Sequence, residues 1–110
     1  MTLKEQRIQF TKCLAMLILK AFEWGYGVAI DEATDHITVK DPTTDHIKGS
    51  FHEIGLACDL LLYNEDGEYL KDSKDYEDLG NYWKSLDSNC TWGGDFNRVK
   101  DGNHYSYGEK

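Results

Sequence analysis

Ile8, Leu14, Leu17, Ile18 and Phe22 recur at helical spacing, which predicts an amphipathic helix in the amino-terminal stretch. Thr2 and Glu5 fit a capping box at its start, where each side chain satisfies a backbone N–H left without a partner inside the helix. Gly25 or Gly27 supplies the stop. The period then changes. Val28-Ala29-Ile30 and Ile37-Thr38-Val39 read as two short strands about a polar turn, and the only proline, Pro42, marks 41–48 as a loop. Leu56 to Tyr63 is apolar enough for a buried central strand, and Asn64-Glu65-Asp66-Gly67 is a turn sequence that brings Tyr69 and Leu70 back as a hairpin partner. Tyr76, Leu79, Tyr82, Trp83 and Leu86 mark a second amphipathic helix. Gly93-Gly94 breaks the chain, and 101–107 reads as a turn into a short strand. This order predicts an α+β fold: one compact domain over residues 1–110, a small antiparallel sheet with helices packed on it.

Composition narrows the partners. The formal charge of −8, with 20 acidic against 12 basic residues and no basic patch, argues against nucleic acid. It also gives no electrostatic help in approaching an anionic membrane or wall. Cys13, Cys58 and Cys90 form no CxxC pair and leave an odd thiol, so they read as buried free thiols of a reducing compartment. The amino terminus lacks the pattern of a signal peptide, and the apolar run from Cys13 to Leu19 is too short for a membrane span. The expectation is a chain made in the cytoplasm, monomeric and without membrane insertion, whose export must come from elsewhere.

The informative segment runs from Ser50 to Asp59. His52 offers an imidazole nitrogen and Asp59 a carboxylate oxygen, both good zinc ligands. A histidine and an aspartate seven apart are weak evidence by themselves. A third ligand near the far end would complete a catalytic site and leave one position for water, and 101–104 offers His104 with Asp101 three residues before it. Zinc lowers the pKa of water to roughly 7, and a nearby carboxylate can then take its proton. Each residue also has a plainer reading. The histidines fit an ordinary surface or core, and Asp101-Gly102-Asn103 is a good turn in its own right. Asp59 differs, because a carboxylate inside an apolar strand is costly unless paired or metal-bound.

The pattern S-x-H-x-x-G-x-A-x-D, complete at Ser50, His52, Gly55, Ala57 and Asp59, resembles that of the zinc D-alanyl-D-alanine carboxypeptidases and L-alanyl-D-glutamate endopeptidases. The closing D/E-x-x-H stands at Asp101 and His104. The segments 60–69, 79–83 and 92–96 look like short phage-encoded endolysins of that family. The resemblance covers roughly residues 50 to 107, and the amino-terminal helix more loosely. It implies one Zn2+ ion held at the sheet by His52, Asp59 and His104, with Asp101 as catalytic base; Ser50 reads as a hydrogen-bonding residue, either local or to substrate, with nothing nearby to activate it as a nucleophile. The implied substrate is the peptide stem of bacterial peptidoglycan, reached through a membrane pore at lysis. Two alternatives stand beside it: a D-alanyl-D-alanine carboxypeptidase or dipeptidase, and a zinc-binding interaction module of the same fold with reduced catalysis.

One departure concerns the substrate side. Related enzymes carry an arginine between the first helix and the S-x-H motif, and residues 30–40 contain none. Lys40, Lys48 or Arg98 would have to take its role. Glu53 and Asp95 read as solvated or capping groups, His36 and His46 as exposed loop residues, and Trp92 and Phe96 as packing beside the site. In a strand, Cys58 points opposite to Asp59 and is expected to be buried and inert.

Overall fold

The computed structural model describes residues 1–31, 54–97 and 99–109. The expected strand at Ile37–Val39, the loop at 41–48, and Ser50, His52 and Arg98 lie outside the described residues.

Helix α1 (Leu3–Glu23) begins at the expected capping box. Glu5 N–H donates to Thr2 Oγ1 at 3.1 Å, and Thr2 N–H donates to Glu5 Oε1 at 2.8 Å. It closes with Gly25 N–H donating to the Phe22 carbonyl and Tyr26 N–H to that of Ala21, the paired bonds of a Schellman end. The inward face is Phe10, Cys13, Leu17 and Ala21. Ile8 and Phe22, expected inside, are instead 60% and 53% exposed. The geometry explains the difference. Ile8 precedes Leu17 by nine residues, and at about 100° per residue that puts the two on opposite sides of the helix. Cys13 and Ala21 are small enough for close packing, so the buried stripe is less apolar by sequence than the exposed one.

The described strands form one five-stranded antiparallel sheet in the order β1-β2-β5-β4, with β3 pairing with β2. They are β1 (Gly27–Ile30), β2 (Ala57–Tyr63), β3 (Tyr69–Leu70), β4 (Cys90–Trp92) and β5 (His104–Tyr107). β2 is the central strand that its apolar run predicts, and its hairpin with β3 closes through Asn64, whose Oδ1 accepts from the N–H groups of Asp66 and Glu68. A 3-10 turn at Ser73–Tyr76 leads into α2 (Glu77–Leu86), the second amphipathic helix. β4 is the element that the sequence pattern does not reveal.

Among the described residues, the core lies between α1, α2 and one face of the sheet. Period-2 alternation places Cys58, Leu60 and Leu62 of β2 in it, with Tyr105 and Tyr107 of β5. Trp83 is its centre. Fully buried, it meets Phe10 and Tyr105 edge-on, with ring centroids 5.8 Å and 5.9 Å away. Its Nε1–H donates to the carbonyls of Thr91 in β4 and Ser106 in β5. One side chain therefore joins both helices to the two strands that frame the site described below. Trp83→Ala removes this volume and leaves two carbonyls without their donor, so it should destabilise the protein by about 3–5 kcal/mol. Denaturant unfolding of the metal-free protein measures this; a loss under about 1 kcal/mol would show that the core does not depend on Trp83.

Candidate metal centre

The alternation that sends Cys58 and Leu60 into the core turns Asp59 to the other face of β2. β5 pairs with β2 so that Asp59 stands directly opposite His104. Directly opposed residues on one face have Cβ atoms about 4.5–5.5 Å apart, close enough for short side chains to meet. Here Asp59 Oδ1 lies 3.1 Å from His104 Nδ1. The His104 side chain is only 7% exposed and that of Asp59 19%. The Phe96 ring packs beside the imidazole, with centroids 5.6 Å apart.

Asp101 arrives by a turn. His104 N–H donates to the Asp101 carbonyl at 3.0 Å, so the D-x-x-H spacing is that of a four-residue turn leading into β5. The turn is held by its neighbours on every side. Asp101 N–H donates to the Gly93 carbonyl at 2.9 Å, and Gly102 N–H donates to Ser73 Oγ at 2.9 Å. Trp92 Nε1–H donates to the Gly102 carbonyl at 2.6 Å, and Leu60 N–H donates to that of Asn103 at 2.9 Å. Gly93 is needed for this approach: a Cβ there would lie 2.1 Å from the Asp101 carbonyl oxygen and 2.8 Å from His104 Cβ. The result is a cluster in which one donor atom each from Asp59, Asp101 and His104 lies within 4.8 Å of the others.

A fourth described group stands beside these three. Glu109 Oε1 lies 2.6 Å from His104 Nε2, so both ring nitrogens face carboxylates. Burial works against a charged ring, but the hydrogen bonds and negative charges of Asp59 and Glu109 outweigh it. They push the His104 pKa up to about 9 when no metal is present.

These residues fit a divalent metal. A carboxylate oxygen and an imidazole nitrogen are ordinary zinc donors, and tetrahedral bonds of about 2.0–2.1 Å put neighbouring donor atoms about 3.3 Å apart. The 3.1 Å between Asp59 and His104 is close to that edge. The structure thus brings together three of the residues singled out in sequence, Asp59, Asp101 and His104. His52 and Ser50 lie outside the described residues, as do Glu53, His36, His46, Lys40, Lys48 and Arg98. Asp95 is an exposed partner of Lys84 at 2.7 Å, as its solvated reading anticipates, and Cys58 is buried. Sequence reasoning missed Glu109, which belongs to no motif. It also missed Arg7, whose Nε–H donates to the Ile54 carbonyl at 2.6 Å and ties α1 to the chain just past the S-x-H motif.

A family model described as D-alanyl-D-alanine carboxypeptidase matches residues 43–107, which include Ser50, His52 and all three clustered residues. No curated protein matches the chain.

Two outcomes follow from the geometry. Gly93→Ala should displace the 101–104 turn and weaken metal uptake, measured by chelator competition. Unchanged affinity would mean that the turn tolerates the added methyl. A raised folded-state pKa gives stability that is full below the unfolded value of 6.5 and is lost as pH rises through about 9. Metal-free protein should therefore lose stability across that window, and His104→Gln should flatten the slope; an equally steep slope in the variant would assign it to another group.

Proposed function

The chain belongs to the D-alanyl-D-alanine carboxypeptidase family, whose members are zinc-dependent peptidases, and from that premise we propose that it cleaves the peptide stem of bacterial peptidoglycan as an endolysin of the L-alanyl-D-glutamate endopeptidase type. The observation that carries the reading is the cross-strand pair of Asp59 and His104 with Asp101 beside it, inside the matched segment. Asp59 and His104 would hold the metal, with His52 as the third ligand on the strength of its motif. A zinc ion bound there supplies Lewis acidity, which makes water acidic enough to ionise near neutral pH and polarises an amide carbonyl. Asp101 takes the proton from the attacking water and gives it to the leaving amine. Its backbone is tied into the turn, which holds the carboxylate beside the ligands without a long flexible stem. Ser50 is assigned to substrate contact by its motif alone.

A polar cleft of about 210 Å³ opens beside Asp101, lined among others by Tyr69, Lys71, Ser73 and Lys100. Its two lysines favour a second reading within the same family, a D-alanyl-D-alanine carboxypeptidase, since a free terminal carboxylate needs a cation. As an endolysin, the enzyme would be a monomer made in the host cytoplasm and released to the wall through a pore. Among the described residues no helix is long and apolar enough to cross a membrane.

Hydrolysis of purified peptidoglycan, before and after chelation and zinc restoration, tests the proposal, with fragments identified by mass spectrometry. Chelator-sensitive cleavage between L-alanine and D-glutamate is expected. Release of terminal D-alanine would establish the carboxypeptidase instead, and no release from a zinc-loaded protein would leave a binding module. Asp101→Asn should keep zinc and lose about 10²–10⁴-fold in kcat; full activity would remove Asp101 from the base role. His104→Ala should lose zinc and activity together, and an unchanged zinc content would strike it from the ligand set.

A further inference from the structure

Metal binding by His104 poses a problem that its ligand role alone does not solve. A neutral imidazole carries one proton, on either nitrogen, and only the bare nitrogen can ligate. Asp59 faces Nδ1 and the Asp101 carboxylate lies in the same cluster, so Nδ1 has to be the bare one. The other nitrogen lies 2.6 Å from Glu109 Oε1.

The fold takes some trouble to put Glu109 there. β5 ends at Tyr107, and the chain turns at Gly108 with φ +86°, a conformation that a residue with a side chain rarely adopts. Gly108 N–H donates to the Asn89 carbonyl at 2.7 Å. Thr91 Oγ1 donates to the Glu109 carbonyl at 2.6 Å, which fixes this segment against β4. The carboxylate is then 28% exposed, partly sheltered from the water that would otherwise compete for the imidazole N–H.

We propose that Glu109 is a positioning residue of the metal centre: its carboxylate accepts the Nε2 proton of His104, fixing the tautomer and ring orientation in which Nδ1 is presented beside Asp59 to the metal. This rests on the reading of Asp59 and His104 as ligands. Glu109 is not a ligand in this account, because it stands at the far nitrogen of the ring and outside the three-residue cluster. Groups that orient a metal-bound histidine through its second nitrogen are worth about 10–100-fold in metal affinity.

The experiment is a zinc titration by chelator competition on the wild-type protein, Glu109→Ala and Glu109→Gln, with the His104 ring nitrogens of the zinc-loaded forms read by long-range 1H–15N NMR. The alanine variant should bind zinc about 10–100-fold more weakly. Glutamine offers a carbonyl oxygen to the same N–H and should recover most of that loss while keeping the proton on Nε2. Wild-type affinity in the alanine variant would overturn the proposal, and so would a glutamine variant as weak as alanine. A wild-type protein that takes up no zinc would instead overturn the metal reading beneath it, which the first titration separates from the role of Glu109.

Discussion

Asp59 and His104 meet because β2 and β5 pair antiparallel in one register, and the rest of the site is arranged around that pairing. The side-chain period of a strand is 2, so a slip by one residue would turn Asp59 into the core and bring Cys58 out to face the imidazole. The register is fixed from the apolar side. Cys58, Leu60 and Leu62 of β2 are buried against the helices beside Tyr105 and Tyr107 of β5, and the slip would expel all three β2 side chains from that packing. At about 25 cal/mol per Å² of apolar surface, exposing several such side chains costs far more than any single polar contact at the site returns. The packed face thus chooses the chemistry of the opposite face.

Two tryptophans carry that order outward. Trp83 ties the carbonyls of β4 and β5 to α2, and Trp92 ties the turn before β5 to β4. Asp101 is therefore delivered by a segment whose backbone groups are already bonded to Gly93, Ser73, Trp92 and Leu60. Among the described residues, Asp59, Asp101 and Glu109 gather three carboxylates about His104. Half-buried carboxylates at this spacing repel one another, and a positive charge among them is the natural remedy. Protonated His104 meets that need in the metal-free protein. A divalent cation meets it more fully, and it is the chemistry that the family shares.

Much of this was legible in the chain. The capping box at Thr2 and Glu5, the central strand, the Asn64 hairpin and the second helix all carry strong local signals, and the structure has them. The buried face of α1 was misread because large apolar residues on an exposed side outweigh Cys13 and Ala21 in a sequence pattern. β4 was missed because Cys90-Thr91-Trp92 is too short to show a period and is held by Trp83 and β5 rather than by its own propensity. At the site, the D-x-x-H motif already encodes a turn, and the alternation about Asp59 already encodes its face. Glu109 had no such mark. Its role exists only once Gly108 folds the chain back over β4, a long-range fact that no local spacing records.

A crystal structure of zinc-loaded protein, with anomalous data collected on both sides of the zinc absorption edge, tests the central claim most directly. The account predicts a single anomalous peak at bonding distance from an Asp59 carboxylate oxygen and from His104 Nδ1, with Glu109 on the opposite ring nitrogen. A peak bound through Nε2, or zinc held away from Asp59 and His104 altogether, would contradict it.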